Sequence, residues 1–191
     1  MNMLTDSHDA VTADWAAALL DFWFNQVGEE GWYSHDPALD QHCIDRFAVL
    51  WSEKRTLPPE SFLDRADDAL AAVLLFDQLP RNMFRGQAQA FATDPIAREV
   101  ARGAIALGYD IQIGGAGRLF FYMPFQHSED LADQELSLSL FEGAGDTRPL
   151  DFARQHHATI ARFGRFPHRN AALGRTTLPA EAAAVAEGSQ W

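Results

Sequence analysis

The chain has 191 residues, of which 47% are hydrophobic and 22% charged, a composition typical of one globular domain. Its net charge of −12 disfavours nucleic acid as a partner, because Lys and Arg contacts to phosphate supply most non-specific affinity. Neither an apolar run of the roughly 18 residues that a membrane helix needs nor a signal peptide is present, and the single cysteine, Cys43, fits a reducing compartment, so we expect a cytoplasmic protein without membrane contact.

The first half of the chain is predicted to form four amphipathic helices, because apolar residues recur there at helical spacing. Thr12 is the expected N-cap of the first helix, and Asp36 followed by Pro37 is a start signal for the second. Pro80 is expected to end the third, since proline cannot donate the next helical hydrogen bond. The four helices are placed at residues 13–26, 36–51, 61–79 and 94–108.

The second half is predicted to begin with a loop, IQIGGAG, and an aromatic run, LFFYMPF. Ser128 is expected to cap a helix that ends near Glu142, and a later helix should stop at Gly164. A short last helix follows Pro179. Because no strand pattern is longer than IQI, residues 1–191 are predicted to form a single all-α domain of antiparallel helix hairpins.

Polar side chains gather at three junctions between helices and loops, where a rigid scaffold can hold them over a cleft. The stretches are FDQLPRNMFRG at 76–86, FFYMPFQHSEDLADQ at 120–134 and RFGRFPHRNAALGR at 162–175. The third is cationic in an acidic protein, since five arginines and no acid lie between residues 154 and 180. Crowded cations repel one another unless carboxylates or an anionic ligand lie between them.

Together with DFWF and AFATD, these three stretches resemble the motifs of the bacterial family DUF924. The resemblance extends from Asp21 to Arg175. It implies a helical, tetratricopeptide-like fold with a family core at 11–176, followed by a tail at 177–191 that departs from the family pattern. It implies no established activity, so function must be inferred from the residue types.

A small-molecule enzyme with metal-independent acid/base chemistry, as in hydrolysis or isomerisation, is the function that we expect. A histidine with a carboxylate partner is a common acid/base unit, and His127 lies two residues before Glu129. Arginine suits bidentate binding of a carboxylate or phosphate, and asparagine can stabilise an oxyanion. The expected catalytic residues are His127, Glu129 and His168, and the expected substrate-binding residues are Arg81, Asn82, Arg85, Asp130, Arg165, Arg169 and Asn170.

Two other interpretations remain open. Tetratricopeptide-like arrays hold peptides in a concave groove, so the arginines could clamp an acidic peptide or a protein C-terminus. Alternatively, the arginines and the surplus carboxylates satisfy one another as a structural network. The sequence has no H-E-x-x-H or C-x-x-C motif and no phosphate-binding glycine loop, so we expect no metal and no cofactor, and a small anionic ligand as the partner.

Overall fold

In this computed structural model, which describes residues 14–145 and 147–187, all regular secondary structure is helical and no strand is present in those ranges. The predicted all-α single domain is therefore confirmed. The α-helices of these ranges are α1 (Trp15–Asp21), α2 (Gly28–Trp32), α3 (Pro37–Lys54), α4 (Ala66–Val73), α5 (Leu79–Met83), α6 (Asp94–Ala106), α7 (Tyr109–Ile113), α8 (Gly115–Gln126), α9 (Leu131–Ala144), α10 (Thr147–Phe163) and α11 (Pro179–Ala186). Further helical turns are π-helical at Phe22–Val27 and Leu74–Gln78, and 3₁₀ at Pro59–Phe62, Ala88–Phe91 and Pro167–Arg169.

Local sequence signals predicted several helix ends correctly. Asp36 caps α3 by accepting a hydrogen bond at 2.9 Å from the backbone amide two residues later, and Pro37 is the first helical residue. α10 stops where Gly164 turns the chain with a φ of 67°, a conformation that glycine adopts without strain. The predicted cap Thr12 lies outside the described residues, within which Asp14 caps α1.

Two predicted boundaries in the second half were wrong. The IQIGGAG stretch is not all loop, because its first residues complete α7, which lies between two glycines of positive φ, Gly108 and Gly114. α9 is capped by Asp130 instead of Ser128. The Asp130 carboxylate accepts the amide of Ala132 at 2.8 Å, whereas the Ser128 hydroxyl accepts the amide of Asp130 at 3.2 Å.

The helix that contains Pro80 does not end there, contrary to the prediction. α4 passes into the π-helical turn Leu74–Gln78 and continues as α5, in which Pro80 is the second residue. Because proline has no amide hydrogen, the carbonyl of Phe76 loses its ordinary helical donor. The Thr93 hydroxyl donates to that carbonyl at 2.7 Å, and the Trp51 indole donates to the same hydroxyl at 3.1 Å. A tertiary hydrogen bond thus replaces the missing helical one.

The core is centred on α4 and the π-helical turn that follows it. Residues 71–80 are all buried, and α1, α6 and α8 pack against this segment. α8, α9 and α10 pack on one another in chain order through short connections, which makes them antiparallel hairpins. No helix within the described part of the chain combines the length and apolarity needed to cross a bilayer.

Candidate functional site

Asp77 is a carboxylate within the apolar core, where it has no exposed surface. Its Oδ1 lies 2.7 Å from Nδ1 of His127, its Oδ2 accepts a hydrogen bond from the Gln78 side chain, and the guanidinium of Arg81 is 3.7 Å away. Burial alone would raise the pKa of Asp77, but the charges of His127 and Arg81 and the hydrogen bonds outweigh burial and hold that pKa below its ordinary value. Asp77 is therefore an ionised partner for His127.

His127 follows the last residue of α8, and its side chain keeps 15% of its surface exposed. Asp77 occupies Nδ1, and no described residue forms a hydrogen bond with Nε2. A buried carboxylate on one imidazole nitrogen fixes the ring and its tautomer and stabilises the imidazolium form. The other nitrogen can then accept or donate a proton, so the Asp77–His127 dyad has the geometry of a general acid/base.

Asp94 joins two arginines at the start of α6. Its Oδ2 accepts a hydrogen bond from Arg81 at 2.9 Å and lies 3.7 Å from NH1 of Arg169. Arg81 is held further by donating to the Ala90 carbonyl. The second carboxylate oxygen, Oδ1, is buried and has no hydrogen-bond partner among the described residues.

Arg169 is buried, with only 7% of its side chain exposed, and its charge is poorly satisfied. Its guanidinium lies over the Phe91 ring at 4.7 Å and the Phe166 ring at 4.4 Å. No described residue accepts a hydrogen bond from it, and its Nε is fully buried without a partner. Burial and the nearby charge of Arg81 lower the pKa of Arg169 to about 10. The group is a cation whose donors are left unused by the described residues.

Two further predicted binding residues, Asn82 and Arg85, bind a different carboxylate. Arg85 donates to both oxygens of Asp40 at 2.7 Å, and Asn82 donates to the same group at 2.9 Å. This arrangement ties α5 to α3 and leaves little donor capacity for a ligand.

Arg165 and Asn170 are likewise engaged by one carboxylate, that of Glu181 in α11. Arg165 donates to its two oxygens at 2.7 and 2.9 Å, and Asn170 donates at 3.1 Å. The hydrogen bonds from Arg165 are the main reason that the pKa of Glu181 falls to about 2. A residue of the predicted C-terminal tail thus neutralises part of the cationic stretch.

Glu129, predicted as the carboxylate partner of His127, binds elsewhere. Its oxygens accept two hydrogen bonds from Arg175, at 2.7 and 3.0 Å, and one from the Phe166 amide at 2.7 Å. Glu129 therefore fastens the 162–175 stretch to the start of α9. In the structure, the carboxylate partner of His127 is Asp77.

Two neutral histidines lie near His127, the buried His156 and the partly buried His168. His168 packs against Phe166, with ring centroids 5.6 Å apart, and its buried Nδ1 has no partner within the described residues. Burial and the charge of Arg169 lower the pKa of His168 to about 4. The ring of His156 lies 6.2 Å from that of His127, and burial and that neighbour lower its pKa to about 2.

Parts of all three polar stretches therefore meet around the dyad, while Asp130 stays at the surface as a helix cap. Sequence reasoning did not select Asp77 or Asp94 as site residues. The available signal for Asp77 was a lone acid in a helix of otherwise apolar residues, which requires a partner when buried. We define the dyad cluster as Asp77, Arg81, Asp94, His127, His168 and Arg169.

A surface pocket of about 340 Å³ shares no residue with the dyad cluster. It is lined by Asp64, Arg65, Ala66, Asp67, Tyr109 and Gln112. Within residues 14–145 and 147–187, no three histidine, cysteine or carboxylate side chains converge as ligands for a metal ion. The chemistry at hand in the dyad cluster is that of one histidine–carboxylate pair and two arginines.

A sequence profile described as "Bacterial protein of unknown function (DUF924)" matches residues 19–189. The chain belongs to the DUF924 family. The match includes Glu181, the α11 carboxylate that pairs with Arg165. A solved structure of a protein of unknown function, ATU0120 from Agrobacterium tumefaciens, is similar to this DUF924 protein, with 42% sequence identity and a TM-score of 0.86. The similarity covers 93% of this chain and 99% of that one, and no curated protein matches the sequence.

Proposed function

We propose that this DUF924 protein is a small-molecule enzyme, in which the Asp77–His127 dyad performs acid/base chemistry on a substrate anchored at Arg169 by a carboxylate or phosphate. The observation that carries the proposal is the environment of Arg169. A buried cation whose N–H groups have no hydrogen-bond acceptor is costly, and a fold that retains one gains from an anion that binds there. The neighbouring dyad supplies a proton-transfer group close to such an anion.

The roles follow from the contacts. Asp77 orients the imidazole of His127 and compensates its positive charge when Nε2 takes a proton from water or from the substrate. Arg169 holds the anionic group, because its donors are unused by the described residues. Arg81, fixed by Asp94, adds positive charge that stabilises an oxyanion as it develops.

The structural-network interpretation fits the other arginines better. Arg85, Arg165 and Arg175 each donate to both oxygens of a carboxylate, so we assign them to stability and not to substrate binding.

We further infer a cytoplasmic location. The supporting observation is that Cys43 is the single cysteine of the sequence, which fits a reducing compartment. Its thiol is buried, and burial raises the pKa to about 12, so Cys43 is an unreactive core residue.

Incubation in heavy water with a defined mixture of carboxylates, carboxylic esters, amides and phosphate esters tests the proposal. Hydrolysis and proton transfer at carbon both change the mass of a compound, so mass spectrometry detects either reaction. We expect wild type to convert at least one compound, His127→Gln to lose about 10²–10⁴-fold of that rate, and Asp77→Asn to lose activity as well. The control Arg85→Met should retain it.

Two results would contradict the proposal. Conversion at equal rates by wild type and His127→Gln removes the dyad from the chemistry. Anion binding without conversion of any compound is the result expected of the alternative, a tetratricopeptide-like module that binds an acidic peptide or a protein C-terminus.

A further inference from the structure

We infer that the dyad cluster takes a zwitterionic amino carboxylate, with the carboxylate on Arg169 and the ammonium group on Asp94. This inference rests on the proposed function, since it names the substrate class of the same site. Its starting point is a pair of buried atoms of opposite polarity. Nε of Arg169 is an unused donor, and Oδ1 of Asp94 is an unused acceptor.

The two groups that carry these atoms are neighbours but do not satisfy each other. NH1 of Arg169 and Oδ2 of Asp94 are 3.7 Å apart, which is too long for a hydrogen bond. The closest Asp94 oxygen is already occupied by Arg81 at 2.9 Å. A ligand that carries both an anionic and a cationic group would supply the acceptor that Nε lacks and the donor that Oδ1 lacks.

The charges of the surroundings favour a ligand without net charge. Apart from His127 itself, the described arginines and carboxylates of this region are equal in number, and the neighbouring His156 and His168 are neutral at pH 7. A phosphate dianion would bring two negative charges into a buried region, which is costly. A zwitterion keeps the balance and places each charge opposite its counterpart. The arginines are Arg81, Arg169 and Arg175, and the carboxylates are those of Asp77, Asp94 and Glu129.

The setting of Arg169 also favours a planar anion. The centroids of the Phe91 and Phe166 rings lie 4.7 and 4.4 Å from the guanidinium carbon, so two aromatic rings pack against this group. The N–H groups point outward in the guanidinium plane, where a carboxylate can accept two parallel hydrogen bonds.

Calorimetric titration of wild type with each of the protein amino acids tests the inference. The amino acid that binds best is then compared with its deamino acid, which lacks the ammonium group, and with its N-acetyl derivative, in which a neutral amide replaces the positive charge. We expect the amino acid to bind at least about tenfold more tightly than either, because hydrogen bonds to charged groups are worth about 1.5–3 kcal/mol. Arg169→Met should lose binding of both the amino acid and the deamino acid, and Arg165→Met should retain both.

Asp94→Asn provides the second arm. If it folds, as judged by circular dichroism, it should bind the amino acid no better than the deamino acid. If loss of the Arg81 partner prevents folding, the wild-type comparison with the N-acetyl derivative decides alone. Equal affinity of amino acid and deamino acid, or no binding of any amino acid, overturns the inference. Failure of every carboxylate and phosphate to bind overturns the proposed function as well, so the two failures are distinguishable.

Discussion

Arg165 and Arg169 are four residues apart in the same cationic stretch, yet their environments are opposite. Arg165 donates to both oxygens of Glu181, whereas no described residue accepts a hydrogen bond from Arg169. Residue type alone therefore does not decide whether an arginine stabilises the fold or binds a ligand. What decides is whether a carboxylate of the protein reaches it.

Replacing each of these arginines by methionine should separate the two roles. We expect Arg165→Met to lower the melting temperature clearly, because it leaves the buried Glu181 without its cation. Arg169→Met should leave the melting temperature nearly unchanged or raise it, since methionine retains contact with the Phe91 and Phe166 rings and removes a poorly paired charge. Thermal unfolding followed by circular dichroism measures both. A severe loss in Arg169→Met would assign this arginine to the structural network instead.

The neutral histidines predict how stability depends on pH. The folded state keeps His168 neutral down to its pKa of about 4, whereas the unfolded chain protonates it below the ordinary value of 6.5. Between these values the unfolded chain binds more protons, so the free energy of unfolding falls as the pH falls, by up to about 1.4 kcal/mol per pH unit for one histidine. His156, with a pKa of about 2, acts in the same direction.

Urea denaturation at pH values from about 7 to about 4.5 measures this slope. We expect His168→Leu to reduce it, because one of the contributing groups is removed. The control His35→Leu changes an exposed histidine outside the dyad cluster and should leave the slope unchanged. An unaltered slope in His168→Leu would mean that His168 is not held neutral by the fold.

At the scale of elements, the π-helical turn Leu74–Gln78 depends on one hydroxyl. We expect Thr93→Val, which keeps the shape of the side chain, to cost about 1–3 kcal/mol because the Phe76 carbonyl loses its hydrogen-bond donor in the core. Thr159→Val is a matched control, since the Thr159 hydroxyl donates within α10 to the Gln155 carbonyl, which lies within regular helix. Chemical denaturation compares the two variants, and equal losses would show that the Thr93 bond has no special role.

Helix ends that depend on neighbouring residues can be predicted from the sequence, whereas helix boundaries that depend on tertiary contacts cannot. Asp36 with Pro37 and the glycine at 164 marked helix ends because caps act over a few residues. The continuation through Pro80 depends on Thr93, 17 residues from the carbonyl that it binds. No local pattern contains that bond.

The candidate site shows the same division. The sequence points to His127 and Arg169 because a histidine close to carboxylates is a common acid/base unit, and because several arginines are crowded into one stretch of an acidic protein. The partner of His127 was predicted from proximity as Glu129, whereas Asp77 lies 50 residues away in sequence. Helix packing decides which carboxylate pairs with a given cation. The sequence alone therefore does not show that Arg81 lies in the dyad cluster whereas Arg165 binds Glu181.

At the scale of the whole molecule, the cationic 162–175 stretch connects elements of an acidic protein through ion pairs and is not an exposed basic surface. Arg165 binds Glu181 of α11, and Arg175 binds Glu129 at the start of α9. These pairs connect the C-terminal helix and the end of the α8–α9 loop to the stretch that carries Arg169. The fold thus pairs Arg165 and Arg175 with carboxylates, whereas no described residue accepts a hydrogen bond from the buried Arg169.

The claim that Arg169 anchors the carboxylate of a ligand is tested most directly by the melting temperature in increasing acetate at fixed ionic strength. A ligand that binds only the folded state adds RT ln(1 + [L]/Kd) to its stability, about 2.7 kcal/mol at a hundred times Kd. We expect acetate to raise the melting temperature of wild type and, from a lower starting point, of Arg165→Met, but not that of Arg169→Met. No rise in wild type, or an equal rise in all three proteins, would contradict the claim.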